Sequence, residues 1–308
     1  MEVLDELEVR DRAGNILKIE IREPKSWEEI EAFEEVQIGA WGMAPIEVIP
    51  GHMIRGVQDA GGVVLGAFEK ESGRVIGCVV SLLGEKDGEK FILSHITGVV
   101  KDLQGLGIGY RLKLSQRKAA LQKGIELIEW TFDPLQGLNS YFNLSKLGVI
   151  CNKFLWNYYG TIRDEINRGM RSDRYKVQWY LRSTRVLRRL EGKIYKIRPE
   201  DLIERGAEFA YDSKGEEPVR EPILKKELPI SDIVLLEIPW NIGNTREEGG
   251  LELVRRWRDI FASAVQHYFS KGYWAVEFAR SPDERRCFHV LWKADLKDIL
   301  DDRLLGDV

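Results

Sequence analysis

The sequence predicts an α/β fold of the α+β kind, and three observations carry that prediction. Apolar runs of strand length and runs of helical period alternate between residues 16 and 132, in the order β-α-β-β-β-α-β. The apolar run from Ile96 to Val100 gives way to Gln104-Gly105-Leu106-Gly107-Ile108-Gly109 and then to a helical pattern. Beyond residue 233 an apolar run, a helix, a strand, a turn and a strand follow one another.

Each element has a local reason. Residues 16–22, ILKIEIR, alternate apolar and charged side chains as a half-buried strand does. Ser26 and Glu29 stand at capping-box spacing, and Trp27, Ile30, Phe33, Val36 and Ile38 are expected on the apolar face of the helix they open. GGVVLGAFE and RVIGCVVSLLG, split by Lys70-Glu71-Ser72-Gly73, read as a β-hairpin, and GEKDGEK turns into the strand FILSHITGVV. After the glycine turn, Leu112, Leu114, Ala119 and Leu121 recur near helical spacing, and GIELIEWTF is a further strand. NSYFNLSKLGV reads as a short helix, with VICNKFLWNYYG and RYKVQWYLR as paired strands. A composition shift near residue 185 divides the chain into 1–184 and 185–308. The second part is charged and loop-rich to Ile233. It continues through DIVLLEIPWNI, the helix LELVRRWRDIFASAVQHYFSKG, the strand YWAVEFARS, the turn PDER and the strand CFHVLWK.

Composition narrows the function. At 44% apolar residues the 308-residue chain can build real cores, and its net charge of −4 disfavours a nucleic-acid partner. No run approaches the roughly 18 apolar residues of a membrane span. The acidic start MEVLDELEVRD lacks a signal-peptide apolar stretch, so a cytoplasmic protein is expected. Cys78, Cys151 and Cys287 are odd in number and widely spaced, which suggests reduced, mostly buried thiols and no metal site.

The glycine turn is the informative motif. Glycines let backbone approach a ligand closely, and a helix start offers unpaired N–H groups and a positive dipole end, which together cradle a phosphate. No GxxxxGK[ST] occurs, and Tyr110-Arg111-Leu112 after Gly109 lacks the third glycine of a dinucleotide fingerprint. Gln104, Gly107 and Gly109 meet Q/R-x-x-G-x-G/A instead. With the order of elements around it, this stretch resembles the GNAT (Gcn5-related) superfamily of acyl-CoA N-acyltransferases over about residues 14–183. The resemblance implies a mixed, mostly antiparallel, splayed sheet flanked by helices. It also implies an acyl-CoA, such as acetyl-CoA, as co-substrate and no metal. The region 185–308 then becomes a smaller α/β domain, either a degenerate second GNAT-like unit or a family-specific lid or dimerisation module.

The same resemblance implies roles for particular residues. Val99, with Val100 beside it, would present backbone N–H groups to the acyl carbonyl. Gln104, Gly105, Leu106, Gly107, Ile108, Gly109 and Tyr110 would hold the pyrophosphate, with Arg111 or Lys113 screening charge or simply solvated. Asn139, Asn143 and Lys146 would lie on the cofactor side, Asn139 and Asn143 also as helix caps. An amine attacking a thioester must lose a proton, and His95 is the candidate base. Side-chain alternation puts it on a face with Leu93, Thr97 and Val99, and the alternative is a hydrogen-bonded core histidine. Glu129 and Asp133 are rival bases. The family's acidic tyrosine falls at Leu144, so Tyr141, one turn earlier, is the candidate acid, and the resemblance puts Tyr158 and Tyr159 near the acceptor side of the fold.

TFDPLQGLNSYFNLSKLGV, WNYYG and RSDRYKVQW resemble a longer GNAT subgroup with a C-terminal extension, which includes amino-acid N-succinyltransferases. That points to a small-molecule amine as acceptor, an amino acid among the candidates, with Arg171 and Arg174 as carboxylate binders or a charged turn. Trp130, Trp156 and Trp179 would wall the acceptor or fill the core. No membrane partner is expected, and a homodimer stays open. A non-catalytic acyl-CoA sensor and a protein N-acetyltransferase are the alternative readings.

Overall fold

The computed structural model describes residues 2–160, 162, 169–193 and 195–305, which divide into two units: residues 2–130, and residues 131–160, 162, 169–193 and 195–305. In the first unit, β1 (Asp5–Arg10), β2 (Ile16–Arg22), β3 (Val63–Glu69), β4 (Val75–Lys86) and β5 (Glu89–Val99) pair antiparallel in sequence order. Helices α1 (Trp27–Trp41) and α2 (Gly51–Asp59) lie between β2 and β3 in the chain, and α3 (Ile108–Gln122) follows β5. Strand β6 (Leu127–Phe132) joins β5 in parallel through Ile92↔Ile128 and Leu93↔Glu129. The architecture is the mixed α/β one expected, a large and mostly antiparallel sheet flanked by helices.

In this first unit two elements escaped the sequence reading. In β1, Leu7 and Val9 alternate with acidic residues and pair with Ile19 and Leu17. The turn between β1 and β2 closes on Asp11, whose carboxylate accepts the Ala13 and Asn15 N–H groups at 2.9 and 2.8 Å. Helix α2 is the other. The face of α1 also differs from expectation. Ile30, Phe33, Val36, Gln37 and Ala40 are buried, while Trp27 and Ile38 are exposed. Gln37 enters the core because its amide clamps Ile49, donating to the Ile49 carbonyl at 3.1 Å and accepting the Ile49 N–H at 2.9 Å. Each large apolar side chain so buried is worth about 1.5–3 kcal/mol.

In the second unit, α4 (Gly137–Ser140) runs on as a π-helical turn, Tyr141–Lys146. β7 (Phe154–Leu155) pairs antiparallel with β8 (Arg174–Tyr180), and α5 (Thr184–Leu190) and α6 (Pro199–Ile203) follow. β9 (Glu208–Phe209), the hairpin β10 (Asp212–Lys214) and β11 (Glu221–Ile223), and β12 (Ile233–Ile238) lead to α7 (Ile242–Ser270), β13 (Tyr273–Ser281), β14 (Arg286–Lys293) and α8 (Leu296–Leu300). The sheet order is β13-β14-β12-β9, with β9 parallel to β12 through two residue pairs. Helix α7 begins nine residues before the expected Leu251, and Gly250, at φ 78° and ψ 171°, kinks it at that junction. Trp257, Phe261, Val265 and Tyr268 form its buried stripe. A fully buried ion network joins Arg185 and Arg189 to Asp302 (2.8 and 2.9 Å), and Arg189 to Glu277 (2.8 Å).

Candidate functional site

The end of β5 and the start of α3 form the expected turn. Gly105 and Gly107 sit at φ +86°, where a side chain is strained, and a Cβ on either would meet nothing within 4 Å. The cradle is therefore open. Gly107 caps α3, and the first intrahelical bond runs from the Arg111 N–H to the Gly107 carbonyl at 3.1 Å. The Ile108 and Gly109 N–H groups precede that bond and face outward from the helix start. Gln104 does not reach toward the cradle. Its amide nitrogen donates to the carbonyls of Val99 (2.9 Å) and Ala40 (3.2 Å), and so ties the turn to β5 and α1. Leu106 and Tyr110 are half-buried on the same turn, and burial raises the Tyr110 pKa.

Hydrogen-bond phase separates Val99 from Val100. The Val100 N–H donates to Ile76 of β4 at 3.0 Å. Successive N–H groups along a strand point to opposite edges, so the Gly77–Val99 pair is a non-hydrogen-bonded one. The Val99 N–H thus faces the β6 edge, and β6 pairs with β5 only at Ile92 and Leu93. A backbone donor is left at an opening between two splayed strands, beside the glycine turn. Val100, expected to share that role, is committed to the sheet.

His95 lies at an irregularity that the sequence does not signal. Val80 pairs with Ile96 but Ser81 pairs with Ser94, so His95 is the extra residue of a β-bulge. The bulge inverts the alternation beyond it. Ser94 and Thr97 meet at 3.4 Å, and Lys113 of α3 reaches Ser94 at 3.3 Å. Val99 also lies toward α3, because a Cβ on Gly77 would sit 3.0 Å from Leu112 and 3.3 Å from Val99. Gly98 faces α1 instead, where a Cβ would collide with Trp41 at 2.5 Å. The expectation that His95 shares one face with Leu93, Thr97 and Val99 is therefore corrected: Leu93, next to Ser94, lies on the face opposite Thr97 and Val99, because alternation holds only within an unbroken ladder. His95 is exposed, accepts and donates no side-chain hydrogen bond among the described residues, and has its pKa lowered by partial desolvation. The neutral, proton-accepting ring is favoured. Glu129 is half-buried on β6, opposite Leu93 in the parallel register.

Lys113, read as phosphate-screening or solvated, is buried instead, while the Arg111 side chain is 40% exposed. Arg111 pairs with Asp5 of β1. Lys113 is 3% exposed, its ammonium 2.6 Å from Gln116 and 3.7 Å from the centre of the Trp130 ring. Gln116 in turn donates to Ser81 at 2.6 Å. Lys113, Gln116, Ser81 and Ser94 thus form a buried polar chain beneath the bulge. Desolvation lowers the Lys113 pKa well below that of a free lysine. The unfolded chain then binds more protons than the folded one below the ordinary lysine pKa, so stability from this site grows as pH rises toward it. Melting temperatures of wild type and Lys113→Met are expected to diverge with pH, wild type gaining on the variant up to about pH 10. A difference independent of pH between 6 and 10 contradicts this.

In the second unit the segment after β6 carries the remaining candidates. The Asp133 carboxylate is buried and accepts from both terminal guanidinium nitrogens of Arg258 of α7, Nη1 at 3.2 Å. It also accepts the Leu135 N–H at 3.0 Å. Tyr141 is half-buried, with the Arg280 guanidinium 5.6 Å from its ring centre. Asn139 is exposed and Lys146 half-buried. Buried Asn143 donates to the Asn139 carbonyl at 2.8 Å, inside its own helical turn, and Gln136 holds the N-cap position expected of an asparagine. Leu144 is fully buried, so the position where the resemblance expects a tyrosine belongs to the core.

Thr131 and Tyr159 share a hydrogen bond of 2.9 Å, and Trp156, Tyr158 and Tyr159 are exposed. Arg171 is held by Asp173 (2.7 Å) and Asp259 (2.8 Å) and stacks on Trp156 at 3.3 Å. Arg174 is buried and donates to the Asp173 carbonyl at 2.8 Å. Trp130 and Trp179 are buried, Trp179 with its indole N–H on the Leu147 carbonyl at 2.8 Å. The three cysteines are buried, and burial pushes the Cys78 thiol up to about 12. Among the described residues no cluster of three or more His, Cys, Asp or Glu could hold a metal, and no helix is long and apolar enough to cross a membrane.

Several solved structures align with about half of the chain. Naa50 of Arabidopsis thaliana, in complex with a bisubstrate analogue, matches at 17% identity and TM-score 0.41, over 52% of this chain and 97% of its own. Ard1 from Thermoplasma volcanium matches at 16% identity and TM-score 0.40, over 52% and 95%. The ribosomal-protein-S18-alanine N-acetyltransferase from Escherichia coli matches at 12% identity and TM-score 0.40, over 53% and 94%. No protein-family model matches the chain, and no curated protein does.

Proposed function

We propose that the protein is an acyl-CoA-dependent N-acyltransferase of the GNAT type, acting on the amine of a small molecule. The observation that supports this most directly is the Val99 N–H, left on the open β6 edge of β5 beside a glycine turn that opens a helix. A preorganised donor at that place suits a thioester carbonyl, on which negative charge develops as the amine attacks. The turn supplies outward N–H groups and a helix dipole for a pyrophosphate.

In this reading His95 takes the ammonium proton, directly or through water. Its exposed ring and lowered pKa support the role. Glu129 is the second candidate base. Asp133 is assigned a structural part, because its charge is already matched by Arg258. Tyr141 remains the candidate acid. An amino-acid acceptor and a succinyl rather than acetyl donor are the finer form of the proposal. Since Arg171 is already paired, a carboxylate on the acceptor would have to be met elsewhere or displace Asp259.

The test is thermal shift followed by thiol release with acetyl-CoA and succinyl-CoA, against free amino acids, simple amines and short peptides. Stabilisation with thiol release is the expected result, and the preferred ester and acceptor choose among the finer readings. Stabilisation without release from any acceptor supports a sensor. No stabilisation by either ester overturns the proposal.

A further inference from the structure

Helix α3 buries Ile108, Leu112, Ala119 and Ala120 against the sheet of the first unit, yet Lys113, Ser115 and Gln116 are buried among them. Lysine is rarely withdrawn from water in full, and a methionine would fill the same length without the cost of desolvating an ammonium. What Lys113 meets is specific. Its ammonium lies 3.3 Å from Ser94 Oγ of β5, 2.6 Å from Gln116 Oε1 and 3.7 Å from the centre of the Trp130 ring of β6. The Gln116 amide in turn donates to Ser81 Oγ of β4 at 2.6 Å.

These contacts fall where two ladders of the sheet are interrupted. The parallel ladder of β5 and β6 runs through Ile92↔Ile128 and Leu93↔Glu129. Ser94 and Trp130 come next in that register, and Lys113 bridges them where the strands part. The antiparallel ladder of β4 and β5 breaks at the same level. Ser81 pairs with Ser94, Val80 pairs with Ile96, and His95 is left over as the bulge. Both hydroxyls of the Ser81–Ser94 pair are thus held from α3, one by Gln116 and the other by Lys113. Removing the bulge means sliding one strand past the other, and a slip of one residue would carry a serine to the opposite face and break its bond to α3.

We infer that Lys113, braced by Gln116, is a positioning residue for acyl transfer: it pins the bulge that carries His95 and the split between β5 and β6 that opens beside the Val99 N–H. This rests on the acyltransferase reading. The same helix begins at Gly107, so one rigid element ties the glycine turn to the bulge and to the split. Lys113 is 3% exposed and acts through β5 and β6, without touching substrate.

The test uses the full chain, with the CoA ester and amine that give the fastest thiol release. Lys113→Met is expected to lower kcat about ten- to a hundredfold while KM for acyl-CoA changes less than about threefold, because the glycine turn keeps its place while the reacting groups shift. Ser94→Ala, which removes the hydroxyl that Lys113 holds, should lower kcat in the same direction. Ser94→Thr, which keeps a hydroxyl on the strand, should recover most of it. A folded Lys113→Met with wild-type kcat overturns the inference, since a purely structural lysine would change only the melting temperature. If Lys113→Met does not fold, the serine variants decide: a lower kcat in Ser94→Ala than in Ser94→Thr supports the inference, and equal values overturn it. A wild type that neither ester stabilises and that releases no thiol is the failure of the acyltransferase reading itself, a result seen before any variant is made.

Discussion

Gly107→Glu is expected to abolish acyl-CoA binding, by at least about a hundredfold, in a protein that remains folded. Gly107 is the N-cap of α3 at φ +86° and ψ −6°, and space around its Cβ position is empty. The substitution therefore meets no clash. Its folding cost is that of a non-glycine residue in the left-handed region, about 1–2 kcal/mol. The effect on binding is of another order. A carboxylate projects from the place where outward N–H groups and the helix dipole would receive a pyrophosphate, and replaces attraction with like-charge repulsion. Gly107→Asn separates the two causes, because asparagine tolerates the left-handed conformation and brings no charge. It should keep most of the stability and a measurable part of the affinity. Calorimetric titration with CoA reads both variants. Wild-type affinity in a folded Gly107→Glu protein removes the pyrophosphate from this turn.

The second large effect is expected at His95. His95→Ala should lower kcat about 10²–10⁴-fold with little change in KM for acyl-CoA, the usual range for losing a positioned base. The wild-type rate should rise with pH along a limb below the ordinary histidine value of about 6.5, because desolvation lowers the His95 pKa and the neutral ring persists to lower pH. In the variant that limb disappears. What remains should climb with pH as the acceptor amine deprotonates unaided. Folding is not at issue, since the ring is exposed and makes no side-chain hydrogen bond among the described residues. An unchanged limb in His95→Ala, together with its loss in Glu129→Gln, moves the base to β6.

The elements most legible in the sequence are those whose cause is local. The alternation of ILKIEIR, the capping pair Ser26 and Glu29, and the glycines that end β5 each act within a few residues, and each appears at the expected place. The splayed sheet was expected only through the family resemblance, yet its basis is also short in range: β5 and β6 pair at two positions and then part. Where a pattern was misread, tertiary packing had changed its meaning. Ile38 lies within a helical apolar pattern but is exposed, while Gln37 is buried because residue 49 needs its amide.

Contacts between distant segments decided the rest. The bulge at His95 depends on how Ser81 meets Ser94, and nothing in SHITGVV marks it. Lys113 has the look of a solvated helical lysine until β5 and Trp130 close over it. Asp133 reads as a catalytic candidate at a strand end, and a partner 125 residues away determines that its charge is already matched. By itself the sequence determined the glycine turn and the strands and helices whose pattern is strong within a short segment, because propensity, capping and φ > 0 are properties of short segments. Only the tertiary structure decided which edge an N–H faces, which charges are buried and which are paired. Those depend on register and on desolvation by residues far away in the chain.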